Sequence, residues 1–343
     1  MVHTSCLDVG GGTTDISIWQ ENTLIHQVSV PFAGRDISTQ LLRRKPSFLK
    51  SLFHPSLTAE INDDEARARQ DRNFTSRLDN IMRYGSEELL HGRLDMLANQ
   101  DSALQVPLQQ FLSLLSVSFG GMYYYLGQVQ KVLRTEGKMT RNTPTEVYLG
   151  GNGGRLLNWI DVSSGFQKGG ELDQLLAMLQ VKSSGCDPAK APTIMSDAYK
   201  DETSCGLISS GVNLIGDFDP RDDVMVCGAK LIINGLTFEA DQRVKLPLSM
   251  DKIERYELPD LECLRTFIEN YDESIAELRI RSLLPIKELC DLETFWDSVQ
   301  VEVRSLCLAK VGKEASDLES EPGFILSLRA LNNTLGKLWA ERF

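Results

Sequence analysis

Apolar and polar side chains alternate along residues 3–31, which is the pattern of β-strands with one buried face. The alternation is interrupted twice, by three glycines after Asp8 and by the turn-forming pair Glu21-Asn22. We therefore predict three consecutive strands, of which the first two are joined through the glycines. A helix follows from about Arg35 to Arg43, because its apolar residues recur at intervals of three and four.

Residues 45–106 are polar, and a dense run of charge lies between Asp63 and Arg72. We predict a helical insertion over this region. The next helix is long, from about Leu108 to Arg134, and its centre carries no charge. Its many serine, glycine, glutamine and tyrosine residues favour a helix buried inside the domain over one that spans a membrane.

Two further strand-helix units are predicted beyond the long helix. A strand at Glu146–Leu149 leads into a helix from about Arg155 to Asp161. The glycine-rich stretch that follows, as far as Lys190, is predicted as loop. A short strand at 192–195 then precedes a helix at 200–210, which completes a first domain of residues 1–216.

The last third of the chain changes character. Residues 217–250 predict a small β element, in which Asn234-Gly235 has the composition of a type I′ hairpin turn. From Pro259 onward, apolar residues recur at helical spacing, so residues 251–343 are predicted as a helical C-terminal extension. Such helices usually pack on one another or on the sheet, and binding of a protein partner by 251–343 is the alternative.

Composition restricts the classes of function. The 343 residues are enough for a full core, and for two domains on length alone. A formal charge of −12 argues against general nucleic-acid binding, which depends on neutralising phosphates. The seven cysteines form no Cys-x-x-Cys pair, which fits reduced thiols in a cytoplasmic protein. The N-terminus has no signal-peptide pattern, and we expect no membrane partner.

The glycine turn is the most informative segment, and its full sequence is Asp8-Val9-Gly10-Gly11-Gly12-Thr13-Thr14-Asp15. Three successive glycines expose backbone N–H groups with no Cβ to obstruct a phosphate. At Gly11 we expect either a positive φ or a position where a Cβ would meet the phosphate. The two flanking carboxylates suit an anion site if a hydrated divalent metal lies between acid and phosphate. A flexible hairpin tip is the alternative interpretation.

This segment resembles the second phosphate loop of the actin and DnaK-chaperone ATPase superfamily, whose pattern is Asp-x-Gly-Gly-Gly-Thr-x-Asp. Two more segments resemble motifs of that superfamily in the same order. Phe32–Ile37 is similar to the Ala-Gly-Arg-Asp-Leu of actin. Val147–Arg155 is similar to the adenosine motif, in which a buried strand ends in paired glycines and enters a helix. The resemblance implies a ribonuclease-H-like α/β fold, as in the second half of an actin-like ATPase.

The resemblance also implies roles at the phosphates of ATP. Gly10, Gly11, Gly12 and Thr13 would donate hydrogen bonds to the β- and γ-phosphates. Asp8 would be the catalytic carboxylate, because its counterpart orients the attacking water or the water bound to Mg²⁺. Asp15 would lie near the same metal, or it would only close the turn through an Asx hydrogen bond.

Adenosine would lie against the third motif. Gly150 and Gly151 would let the backbone lie flat against the nucleoside, and Asn152 belongs to the same turn. Gly153 would open the following helix, whose N-terminal end favours the phosphate side. Arg155 would stack on adenine through its planar guanidinium.

One part of the superfamily pattern has no match. A first phosphate loop, Asp-x-Gly-Thr or Asp-x-Gly-Ser, is expected well upstream of the second, but seven residues precede Asp8. No counterpart of the chaperones' ribose-contacting helix aligns within residues 60–95. We therefore predict an ATP- and Mg²⁺-binding half of an ATPase, completed by an upstream half-domain on the same or a separate chain. The alternative is a non-catalytic protein-interaction module that keeps the fold as a scaffold.

Overall fold

The computed structural model describes residues 3–21, 23–62, 64, 68, 70–88, 102–161, 165–196, 225–244, 252–292, 294–314 and 321–342. These residues form a mixed α/β structure with a five-stranded sheet and a helical C-terminal part. The helix predicted at 200–210 lies outside the described residues.

The central sheet has the strand order β3-β2-β1-β4-β5. Its strands are β1 (His3–Val9), β2 (Thr14–Gln20), β3 (Thr23–Val30), β4 (Glu146–Gly150) and β5 (Thr193–Met195). The first three strands pair antiparallel, whereas β4 runs parallel to β1 and β5 parallel to β4. All five predicted strands are therefore confirmed. The parallel pairing brings the end of β4 beside the glycine turn.

One face of the sheet is buried, as the period-two alternation predicts. The buried apolar residues of this face in the four longest strands are Leu7, Val9, Ile16, Ile18, Val28, Val30, Val147 and Leu149. The long helix α5 (Ser102–Thr135) lies against this face and is buried along most of its length. Its Tyr123 hydroxyl contacts the Thr193 hydroxyl on β5 at 2.7 Å. No described helix meets the length and apolarity needed to cross a membrane.

The predicted helical insertion is present. After β3 the chain forms α1 (Gly34–Arg44), α2 (Pro46–Leu52), α3 (Pro55–Thr58) and α4 (Phe74–Glu88). Among these, α4 and α3 pack against each other, and α4 also contacts α1. The insertion thus lies next to the segment that follows the glycine turn.

Beyond β4, a 3-10 turn at Gly154–Leu156 continues into the short helix α6 (Leu157–Ile160). The loop predicted as far as Lys190 is wrong in its middle, where the 14-residue helix α7 (Glu171–Ser184) lies. Two of the glycines that suggested a loop are the caps of this helix. Gly185, with φ 64°, ends it and donates its N–H to a carbonyl of the last turn.

The small β element contains β6 (Leu231–Ile233) and β7 (Leu236–Phe238), joined by Asn234-Gly235. Both turn residues have positive φ, at 48° and 83°, which confirms the predicted type I′ turn. A third strand, β8 (Tyr256–Glu257), pairs with β6 from beyond the predicted end of the element at residue 250.

The helices that follow in the described part of the chain are α8 (Glu262–Leu278), α9 (Lys287–Cys290), α10 (Phe295–Leu308) and α11 (Gly323–Arg342). Of these, α11 packs against α10 and also against α1 and α5 from the earlier part of the chain, and it is buried on nearly every side.

The contact between α11 and α1 is close and polar. The Asn332 side-chain amide donates to the carbonyls of Asp36 and Ile37 at 2.7 and 3.1 Å. The absence of a side chain at Gly336 permits this approach, since a Cβ there would lie 2.9 Å from the Gln40 Cβ. The C-terminal part therefore supports the helix that follows the glycine turn.

Candidate functional site

The first and second predicted motifs meet through backbone hydrogen bonds. At the start of α1, Gly34 donates its N–H to the Gly10 carbonyl at 3.2 Å, and Arg35 donates to the Gly11 carbonyl at 3.0 Å. These bonds use two of the N–H groups that a helix leaves without an intrahelical partner at its N-terminus. The glycine turn and α1 are thereby held as one unit.

The third motif packs onto the same unit. Gly153 donates its N–H to the Val9 carbonyl at 2.7 Å, and a Cβ on Gly153 would lie 2.6 Å from the Gly10 carbonyl oxygen. Gly151 has φ 76°, and its Cβ would lie 2.3 Å from the Asp8 Oδ1. Close packing against β1 therefore explains both glycines, independently of any ligand.

The turn itself differs from one expectation. None of Gly10, Gly11 and Gly12 lies in the left-handed region, so the positive φ expected at the tip is wrong. Among the described residues, only the tip of Arg35 would lie near a Cβ on Gly11, at 3.8 Å. Neither backbone conformation nor crowding demands glycine at this position, and its effect is to leave the space above the turn open.

The N–H groups of the turn differ in whether they have an acceptor. Gly10 donates to the Thr13 carbonyl at 2.9 Å. Within the described part of the chain, no acceptor receives the N–H groups of Gly11, Gly12 and Thr13, and all three residues are exposed. Successive backbone N–H groups of this kind bind anions.

Two carboxylates flank the turn. Asp8 and Asp15 are direct partners in the β1–β2 ladder, and both are exposed. Like charges placed directly opposite each other destabilise a sheet unless a cation lies between them. The described residues contain no group of three or more acidic, histidine or cysteine residues suited to a metal.

A cavity of about 190 Å³ lies beside the glycine turn. Its polar lining includes Arg35 on α1, Asp79 on α4, and Asn152 and Arg155 from the third motif. Gly10, Gly11 and Gly153 also reach it. The three predicted motifs, which are far apart in the sequence, thus share one cavity with the helical insertion.

The other wall of the cavity is apolar. It is formed by Leu78 and Met82 on α4 together with Leu156 and Trp159. The Trp159 side chain is fully buried, and its ring packs against Phe53 in an edge-to-face arrangement with centroids 6.1 Å apart. An apolar wall with a few convergent polar groups is typical of small-molecule sites.

Arg35 and Asp79 join the two sides of the cavity. The Arg35 Nη2 lies 2.6 Å from the Asp79 Oδ2, and Nε lies 3.1 Å from the same oxygen. This charged hydrogen bond raises the pKa of Arg35 above its ordinary value. The guanidinium lies over the turn, since its nitrogens are 3.8 Å from the Cβ positions of Gly11 and Gly12.

Asp36 has a structural role. Its carboxylate accepts the Ala33 N–H at 3.4 Å, which caps α1, and it lies 3.7 Å from the Arg329 guanidinium on α11. Burial raises the pKa of this carboxyl, and the charge of Arg329 opposes that rise. The side chain ties α1 to α11.

The predicted site residues occupy different positions. Gly10, Gly11, Asn152, Gly153 and Arg155 line the cavity. The others are not part of the lining: Gly12 and Thr13 belong to the glycine turn, Asp8, Asp15 and Gly150 belong to strands, and Gly151 follows β4.

Sequence analysis missed the contribution of α4. Leu78 and Met82 are four residues apart, so they lie on one helix face, but no local signal shows what that face covers. Asp79 was missed for the same reason. Comparison of the chain with protein-family models, with curated proteins and with solved structures gives no match.

Proposed function

We propose that this chain carries the second nucleotide-binding half of an actin- or DnaK-like ATPase and binds ATP with Mg²⁺. The sheet supports a ribonuclease-H-like core for that half: three antiparallel strands, a helix, and two further strands parallel to the first. Fold alone does not determine function, so the proposal rests on the site.

One observation carries the proposal. The glycine turn presents the N–H groups of Gly11, Gly12 and Thr13 without an acceptor among the described residues, beside a cavity lined by Arg35 and Arg155. Backbone donors and guanidinium groups are the means by which proteins bind phosphates. In a chain of net charge −12, this is a local site for an anion.

The cavity suits adenosine. Arg155 would stack on the base, and the apolar surface of Leu78, Met82 and Trp159 would cover it. The volume of about 190 Å³ is smaller than the roughly 300–1,000 Å³ of ordinary ligand pockets. We therefore expect α4 to move outward when a nucleoside enters, while the phosphates lie over the turn outside the cavity.

Asp8 and Asp15 would orient the water shell of Mg²⁺ bound to the phosphates, and Asp8 would position the attacking water. The metal would reduce the electrostatic repulsion between these two facing carboxylates and the phosphates. A complete catalytic site would require the upstream half-domain with its own phosphate loop, on the same or a separate chain. A cytoplasmic location, where ATP is available, belongs to the same proposal.

A second candidate is a protein-interaction module that uses residues 251–343. The outer face of α10 exposes Val301 by 61% and Leu308 by 70%, and the spacing of seven residues places both on one helix face. Exposed apolar residues in a row can mark a protein interface. This candidate does not require the turn to bind anything.

Calorimetric titration of the full chain with ATP, with and without Mg²⁺, separates the two candidates. The ATPase-half proposal predicts Mg²⁺-dependent binding that is weak for the chain alone and strengthens when the upstream half is added. If ATP does not bind either with or without Mg²⁺, the result would support the interaction module. Tight binding to the monomer alone would contradict the part of the proposal that requires a second half.

A further inference from the structure

Arg35 occupies an unusual position for a cation, because it lies in the first turn of α1. A positive charge at a helix N-terminus is disfavoured by the helix dipole. The Arg35 backbone cannot move away, since its N–H donates to the Gly11 carbonyl at 3.0 Å. The side chain instead extends along the turn toward α4, where Asp79 receives it. Arg35 therefore occupies a position where the helix dipole disfavours a positive charge.

The contacts of the guanidinium leave one side available. Asp79 accepts hydrogen bonds from Nε and Nη2. Among the described residues, Nη1 has no hydrogen-bond partner, and it lies 3.8 Å from the Cβ position of Gly12. Arginine has five N–H donors in a rigid plane, so anchoring one edge fixes the direction of the remaining donors. Nη2 of the anchored edge also lies 3.8 Å from the Gly11 Cβ position, whereas Nη1 lies beside Gly12.

Stability does not account for this arrangement. The side chains of Arg35 and Asp79 are 46% and 35% exposed, and ion pairs with this exposure contribute little to folding. An anion held by the N–H groups of the turn would lie in the space above Gly11 and Gly12. The Arg35 guanidinium borders that same space.

We propose that Arg35 is the side chain that contacts the terminal phosphate of the bound nucleotide, and that Asp79 is the residue that positions it. This inference rests on the proposed function. Asp79 belongs to α4, so the arginine links the phosphate to the helical insertion that covers the adenosine cavity. A nucleotide with more terminal charge would hold the insertion more firmly over the site.

The test measures binding of Mg²⁺-ATP and of adenosine to the full chain and to the variants Arg35→Gln, Arg35→Lys and Asp79→Ala. Arg35→Gln should weaken ATP binding by about tenfold or more, the usual effect of losing a charged hydrogen bond. Adenosine binding should stay within about twofold, because adenosine lacks the phosphate. Arg35→Lys should weaken ATP binding less than Arg35→Gln does, because lysine keeps the positive charge but lacks the planar set of N–H donors of the guanidinium.

Asp79→Ala separates positioning from a merely structural link. It should weaken ATP binding less than Arg35→Gln does, because the arginine remains and only its orientation is lost. Arg77→Gln is the matched control: Arg77 lies on the same helix and pairs with Asp71 at 2.9 Å, outside the cavity lining. This change removes an equal charge and should leave both ligands unaffected.

The outcomes distinguish this inference from the proposed function. If wild-type protein binds neither ligand, the proposed function fails and this inference with it. If wild-type protein binds both and Arg35→Gln leaves ATP binding unchanged, only the inference fails. It also fails if Arg35→Gln and Asp79→Ala weaken ATP and adenosine equally, because the pair would then only hold α4 in place.

Discussion

Asp8 and Asp15 face each other across the β1–β2 ladder, one on each side of the glycine turn, and both are exposed to solvent. Removing one charge should stabilise the protein in the absence of divalent cations. We predict that Asp15→Asn raises the free energy of unfolding by about 0.2–1 kcal/mol in metal-free buffer, the usual cost of facing like charges.

The same variant tests whether the pair lies close to a metal. Addition of Mg²⁺ and ATP should raise the melting temperature of wild-type protein more than that of Asp15→Asn. Equal responses of the two proteins would remove Asp15 from the metal site. A lower stability of Asp15→Asn in metal-free buffer would show that the carboxylate closes the turn by a hydrogen bond.

Asp8 has a separate predicted role. In the ATPase completed by its upstream half, Asp8→Ala should abolish turnover while leaving nucleotide binding mostly intact, because the carboxylate would orient water and the turn would hold phosphate. Steady-state hydrolysis and calorimetry on the same preparation provide the comparison. An unchanged hydrolysis rate would exclude Asp8 from catalysis.

The stability of the fold should depend on pH through His26 on β3. Its side chain is 3% exposed, and burial, with smaller contributions from Arg243 and Lys138, lowers the pKa of His26 to about 3. The unfolded chain therefore binds this proton first on acidification. Above pH 6.5 His26 is neutral in both states and costs no stability. As the pH falls from 6.5 toward 3, protonation of His26 in the unfolded chain lowers the free energy of unfolding.

Between pH 7 and pH 5, His26 alone should cost about 2 kcal/mol of stability. Urea unfolding at pH 7 and pH 5 gives the change in the free energy of unfolding for wild-type protein and for His26→Gln. The difference between these two changes is the cost due to His26, because the other groups titrate in both proteins. His54→Gln is the control, because His54 is exposed. A pH dependence that is the same in His26→Gln and wild type would show that His26 does not titrate in this way.

The packing of α11 on α1 predicts the result of truncation. A chain ending at residue 250 would lose α11, whose side chains are buried against α1 and α5. We expect it to lose cooperative unfolding, because α1 and α5 would lose the helix that packs on them. Denaturant titration of the truncated chain tests this, and a sharp cooperative transition would show that the first part folds by itself.

Local patterns predicted the parts of the fold that depend on local forces. The alternation in residues 3–31 marked three strands, and Asn234-Gly235 marked its turn, because both depend on neighbours in the sequence. The helix α7 was missed because the glycines at its two ends, Gly170 and Gly185, suggested a continuous loop. A glycine that caps a helix and a glycine in a loop are the same residue type, so the sequence alone does not distinguish them.

The sequence predicted the glycine turn and the positions of Asn152 and Arg155 in the site, but not the residues that α4 contributes. The glycine turn and the Gly150–Arg155 motif were visible because their glycines follow one another in a short stretch of sequence, and close packing against β1 requires Gly151 and Gly153. The Arg35–Asp79 pair joins residues 44 positions apart on two helices. Nothing local to either residue specifies that contact, since it depends on how α4 packs against α1.

The most direct test of the phosphate site is to measure melting temperature and Mg²⁺-ATP affinity on Gly11→Val, with Gly151→Ala as the matched control. A Cβ on Gly11 enters open space, so this variant should keep its stability within about 0.5 kcal/mol and lose at least about tenfold in affinity. Gly151→Ala should instead lose about 1–3 kcal/mol of stability, because its φ of 76° and the nearby Asp8 exclude a side chain. A Gly11→Val protein that loses stability, and loses affinity only in proportion to its unfolded fraction, would contradict the assignment of the turn as a phosphate site.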